Sequence, residues 1–306
     1  MTDRGLAALL EEAESRLRVE RVAPTAPTAP AVPLDLRGRR AAVLAGPGVL
    51  RDDCVDGLRV FAAAANVGVA NTWGAKGAFA WDSPHHMGTC GLQARDFELL
   101  GFGELDLIIA TGIDEAESPP ARYALAPDIE IVAPCNLLPL SGTVIPSTQP
   151  IEPNELFTRL AAIAQPGYLD DERPRHPARA VMDVRNALPP GGIVTADPDP
   201  AGLWIARTFP TIEPGSVVVP ARRAPGIAAA LALVAARTGR PAIAVTTVPV
   251  DDVTRAVVDL AERLGTPFGL EAWGEDVDFS YTRLLVEAAG PVVAWGGIDL
   301  DDGSRP

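Results

Sequence analysis

The residues best suited to chemistry lie in the stretch Asn71-Thr-Trp-Gly-Ala-Lys-Gly-Ala-Phe-Ala-Trp-Asp-Ser-Pro-His-His-Met-Gly-Thr-Cys-Gly91. Its glycines would let a planar or phosphorylated group approach the backbone. Lys76, the only lysine of the chain, could receive a phosphate; the plainer reading is a surface lysine beside a tight turn. His85, His86 and Cys90 carry metal-ligand atoms, but adjacent histidines in an extended segment face opposite sides and no second ligand pair stands nearby. Gly46-Pro-Gly48 is a further candidate, because a glycine turn between strand and helix can offer N–H groups to an anion. Pro47 removes one donor, and Asp52 and Asp53 sit where the anion would come, so a tight turn with no ligand competes with that reading. Asp197 and Asp199, and separately Asp299, Asp301 and Asp302, could hold a cation, although carboxylates at strand ends and tails are usually just solvated. No Gly-x-Ser-x-Gly elbow or Walker A loop is present, and nothing pairs a nucleophile with its base.

Short buried strands, glycine turns and helices in alternation must position these residues. Arg40-Ala-Ala-Val-Leu-Ala45 reads as a strand and Asp52 to Ala65 as an amphipathic helix. Val67-Gly-Val-Ala-Asn71, Leu105-Asp-Leu-Ile-Ile-Ala-Thr111 and Ile129-Glu-Ile-Val132 read as further strands, with a long irregular stretch before the second of them and a closing helix from Asn154 to Ala164. The grammar repeats in Gly192–Ala196, a helix near Gly202 to Thr208, Ser216–Val219, an Ala-rich helix from Pro225, Ala242–Thr246, a helix from Asp251 to Leu264, Phe268–Glu271, a helix near Tyr281 to Ala289 and Pro291–Ala294. Such alternation implies parallel sheets covered on both faces. The expected fold class is therefore α/β, with two Rossmann-like, doubly wound parallel-sheet domains. Ahead of them Leu6, Leu9, Leu10, Ala13 and Leu17 fall at helical spacing, and Pro24-Thr-Ala-Pro-Thr-Ala-Pro30 reads as a polyproline linker.

With 306 residues the chain exceeds one ordinary domain. A net charge of −14 repels phosphate backbones and anionic lipid, which argues against nucleic acid as a partner. No apolar run reaches the length that spans a bilayer. Met1 to Glu20 lacks the uncharged core of a signal peptide, and three unpaired cysteines suit a reducing compartment, so a cytoplasmic protein without membrane contact is expected.

Taken together, Leu44-Ala-Gly-Pro-Gly48, Trp73-Gly-Ala-Lys-Gly77, Ser83-Pro-His-His86, Gly88-Thr-Cys-Gly91 and Asp106-Leu-Ile-Ile-Ala-Thr-Gly112 resemble the central domain of thiamine diphosphate (ThDP, or TPP) dependent enzymes of the acetolactate synthase and decarboxylase type. That domain is purely structural in some members and holds FAD or an adenine nucleotide in others. The resemblance makes Gly46, Gly48, Trp73, Lys76, Gly77, Gly88, Gly91, Gly112 and Asp114 the candidate cofactor-binding residues, with FAD, ADP or CoA as ligands to test. Residues 178–295 are more loosely similar to the family's diphosphate-binding domain. The family needs Gly-Asp-Gly after a buried strand and an Asn about 25 residues on, which hold Mg²⁺ on the cofactor diphosphate. Here the strand runs into Thr247-Val248-Pro249, and the next ends Glu271-Ala272-Trp273. The resemblance also implies a pyrimidine-binding domain carrying a catalytic glutamate, for which the first 35 residues offer no equivalent.

The resulting expectations are an N-terminal helix and linker (1–33), a central nucleotide-binding-like domain (34–165), a linker (166–177), a degenerate TPP-binding-like domain (178–298) and an acidic tail (299–306). No ThDP or Mg²⁺ is expected to bind, no catalytic residue or metal ligand is nominated, and the function implied is that of a non-catalytic homologue that binds or scaffolds. A split carboligase or decarboxylase subunit and an FAD or adenine-nucleotide module are the alternatives. A homodimer or a ThDP-enzyme-like partner chain is the expected assembly, with the N-terminal helix packing on the second domain or a neighbouring chain.

Overall fold

A computed structural model of the protein describes residues 3–17, 33–149, 165–172, 174–274 and, as backbone, 292–297. These divide into two compact units, the first within 20–162 and Thr211–Pro214, the second within 1–19, 163–210 and 215–306. Both are parallel α/β sheets, as the alternating grammar of the sequence implies. The expected proline linker, the helices over 154–164 and 281–289 and the tail over 299–306 lie outside the described residues.

In the first unit β1 (Ala41–Ala45), β2 (Gly68–Thr72), β3 (His86–Cys90), β4 (Leu107–Thr111) and β5 (Asp128–Ile131) stand in the order β3-β2-β1-β4-β5. All pairings are parallel. Strand order reverses between β1 and β4, the switch point at which open sheets of this kind take their ligands. Helix Val55–Ala65 covers one face with Leu58, Phe61 and Ala62 against Val43, Val69 and Ile109. Phe97, Leu100, Phe102 and Tyr123 cover the other against Leu44, Ala70 and Ile108. Burial on both faces explains why β1 and β4 read as unbroken apolar runs.

Two elements differ from the sequence reading. The expected helix over 52–65 begins instead as a single turn, Gly48–Arg51; Asp53 then takes a left-handed conformation (φ 54°), and the helix restarts at Val55. The stretch read as irregular contains β3, whose residues His-Met-Gly-Thr-Cys lack a β-branched alternation. It pairs with β2 at the sheet edge through a register shift between Val69 and Ala70.

The second unit holds β6 (Ile193–Ala196), β7 (Val217–Val218), β8 (Ala242–Thr247), β9 (Gly269–Gly274) and β10 (Val292–Gly297) in the order β10-β9-β8-β6-β7. Its switch point falls between β6 and β8. Helix Ile227–Arg237 is buried from Ile227 through Ala235, so a helix apolar all round needs a cover on its outer side. The N-terminal helix Asp3–Leu17 supplies it, with Leu9 and Ala13 buried in the same cluster and Leu6, Leu10 and Leu17 packed around them. The segment read as a linker up to 177 leads into a helix the sequence reading omitted, Pro177–Ala187. Proline occupies its first position, and His176 Nδ1 accepts the Ala178 N–H at 3.1 Å.

Candidate functional site

At the first switch point the glycine turn after β1 packs backbone to backbone on the turn after β4. Gly46 N–H donates to Thr111 O at 2.9 Å, Gly48 N–H to Gly112 O at 2.8 Å and Val49 N–H to Gly46 O at 3.1 Å. A β-carbon on Gly48 would lie 2.7 Å from Gly112 Cα, and Gly112 itself has φ +59°. Only glycine fits this approach. The N–H groups expected to face a phosphate are thus committed to carbonyls, and Gly46, Gly48 and Gly112 close the crevice. Asp114, just beyond, is half-buried, accepts the Ala116 N–H at 3.0 Å and stands 3.9 Å from Arg51.

The remaining candidates meet at the ends of β2 and β3. Trp73 opens a 3₁₀ turn, Trp73–Ala75, that aims Lys76 into the protein. Lys76 is 4% exposed and its side-chain nitrogen lies 3.3 Å from Thr89 Oγ1, so the plainer reading of a surface lysine does not hold. Asn71 Nδ2 also reaches Thr89 Oγ1 (3.2 Å), and Asn71 Oδ1 meets His86 Nε2 at 3.2 Å. Burial, and then the Lys76 ammonium, hold His86 down at about 4, so the ring is neutral near pH 7. His85 turns the other way, its Nδ1 3.0 Å from Val67 O. Gly77 and Gly88 are buried with positive φ (91° and 123°). Gly91 makes room for Ser118 Oγ and the Trp73 ring. Trp73 is half-buried, whereas Trp81 is exposed. Among the described residues no group of three His, Cys, Asp or Glu side chains is placed to hold a metal.

One residue that the sequence reading missed anchors this cluster. Glu117 Oε2 accepts from the Thr72 hydroxyl at 2.5 Å and lies 3.4 Å from the Gly74 N–H. Burial pushes its carboxyl up to about 7, against the pull of those two donors. A lone glutamate in a loop after a strand carries no periodic signal, so only the fold brings it against β2.

At the second switch point the protein supplies its own anions. Asp197, 6% exposed, follows β6; its carboxylate accepts from Thr246 Oγ1 (2.6 Å) and from the Ala228 N–H (3.1 Å) at the start of helix Ile227–Arg237. Asp199 caps helix Pro200–Thr208 through the Gly202 N–H (3.0 Å) and accepts from the Thr247 N–H (3.1 Å) and Thr247 Oγ1 (2.6 Å). Burial pushes Asp197 up to about 6, with Asp199 and Asp251 adding to the rise. These two carboxylates take helix-terminal and strand-end donors that a bound diphosphate would use. The hydroxyls of Thr246 and Thr247 point their protons at the aspartates, and Pro249 brings no N–H. A ThDP diphosphate at this point would have to compete with two carboxylates for the same N–H and hydroxyl groups.

Two parallel α/β sheets, each with a switch point, define a class that hosts many nucleotide and cofactor enzymes. Within it, residues 36–132, which lie in the first unit, match the family model described as thiamine pyrophosphate enzyme, central domain. The resemblance read from the motifs of that stretch is supported to this extent. No curated protein matches the chain.

Proposed function

We propose that this protein is a homologue of ThDP enzymes of the acetolactate synthase and decarboxylase type that acts without ThDP chemistry, by binding or scaffolding. In this reading the second unit descends from a diphosphate-binding domain. The observation that carries it is the pair Asp197 and Asp199, whose carboxylates occupy the backbone donors at the β6/β8 switch point. A diphosphate brought there would meet one buried and one half-buried carboxylate and compete with them for the same donors. The central-domain match supports the family relation and leaves the ligand open.

A homodimer or a ThDP-enzyme-like partner chain in the cytoplasm is the setting we propose. A thermal-shift screen of the whole chain with ThDP plus Mg²⁺, FAD, CoA and ADP tests the reading. A ligand at one hundred times its Kd stabilises by about 2.7 kcal/mol, so binding would be visible. No shift with ThDP is the expected outcome; a saturable one would return the protein to the split-subunit reading. A shift with FAD or ADP alone would make it a nucleotide module.

A further inference from the structure

Helix Val55–Ala65 and the short helix Leu137–Ser141 lie side by side in the first unit. A β-carbon on Gly57 would lie 3.3 Å from Leu138 Cβ. Further along, Ser147 N–H reaches Ala65 O (3.0 Å) at the far end of the first helix. Cys54 stands three residues before Gly57 and Cys135 three before Leu138, so each is one turn back on the shared seam. Both thiols are half-buried, whereas Cys90 is fully buried in β3. Their present contacts are local and weak: Cys54 Sγ donates to Asp52 O at 3.2 Å and Cys135 Sγ lies 3.8 Å from Asn136 Oδ1. The two thiols stand near enough for charge on Cys135 to repel charge on Cys54.

We propose that Cys54 and Cys135 form a reversible dithiol–disulfide couple that locks the turn after β1 to the turn after β5. The oxidant class is a low-molecular-weight disulfide. One thiolate attacks it and releases one small thiol; the second protein thiolate then displaces the other, forming the Cys54–Cys135 bond. Two electrons pass to the oxidant, and the two protons leave on the released thiols. Burial and the nearby Asp52, with further repulsion from Cys135 and Asp53, push the Cys54 thiol up, so the reaction accelerates with rising pH.

The test treats the full chain with oxidised glutathione, blocks free thiols, digests with trypsin without reduction and weighs the fragments. The expected product is peptide 52–59 joined to peptide 123–159, two hydrogens lighter than their sum and cleaved by dithiothreitol. Cys54→Ser and Cys135→Ser should each leave a glutathione adduct on the surviving partner, while Cys90→Ser leaves the link intact. Because the bond closes a long loop, the oxidised wild type should also melt several degrees higher. Stable glutathione adducts on both Cys54 and Cys135 of the wild type, a link through Cys90, links between chains, or two unmodified thiols would each overturn the proposal.

Discussion

Lys76 is almost completely buried, and its contact there sets what its removal does. Its contact with Thr89 Oγ1 belongs to the network that also holds Asn71 and His86. Lys76→Ala would leave Thr89 short of a buried partner and is expected to lower stability by about 1 to 3 kcal/mol, read as a fall in the urea midpoint. Glu117 and His86 give the same cluster a pH signature of two opposite signs. Glu117 is raised in the fold, so its contribution is complete at low pH and is lost as pH rises from about 4.5 through about 7. His86 is lowered in the fold, so its contribution is present above its ordinary value of 6.5 and is lost as pH falls through about 4. In the wild type the two trends oppose one another. Glu117→Gln should therefore remove the loss between about pH 4.5 and 7, worth about 3 kcal/mol by linkage, and leave stability falling toward acid. Urea melts across that pH range check it, and an unchanged profile would count against a buried carboxyl at Glu117.

The elements were more legible than the contacts between them. Apolar runs such as Ala41–Ala45 and Leu107–Thr111 announced strands because both faces of each are covered, and the Ala-rich helix announced itself by composition. β3 was hidden because its stability comes from pairing with β2, and helix Pro177–Ala187 because proline and charge surround its start. The site glycines were legible as glycines, yet sequence cannot tell whether a glycine yields space to a ligand or to another backbone. Gly46, Gly48 and Gly112 turned out to do the latter. Gly46→Ala would drive a methyl into the Gly112 carbonyl and is expected to cost at least about 3 kcal/mol, measurable by calorimetric melting. The N-terminal helix makes a parallel prediction. Ala13 is fully buried against the second unit's core, so Ala13→Asp should lower Tm by burying an unpaired charge, at a cost of several kcal/mol. An unchanged Tm would mean that the helix does not pack there.

At the scale of the whole molecule, two similar sheets have met two different fates at their switch points. The first is closed by glycine backbones and backed by a buried polar cluster; the second is filled by Asp197 and Asp199. Neither feature follows from hydrophobic pattern, because it depends on which donors the fold aims at which acceptors. The substitution Thr247-Val248-Pro249 is visible in the sequence, but the carboxylates that accompany it read there as a candidate cation site or as solvated strand-end residues, not as partners of the strand-end donors. The most direct measurement is a calorimetric titration of the intact chain with ThDP in the presence of Mg²⁺. The account predicts only heats of dilution, with the wild type and an Asp197→Asn, Asp199→Asn double variant compared side by side. Saturable heat from the wild type at a defined stoichiometry would contradict it.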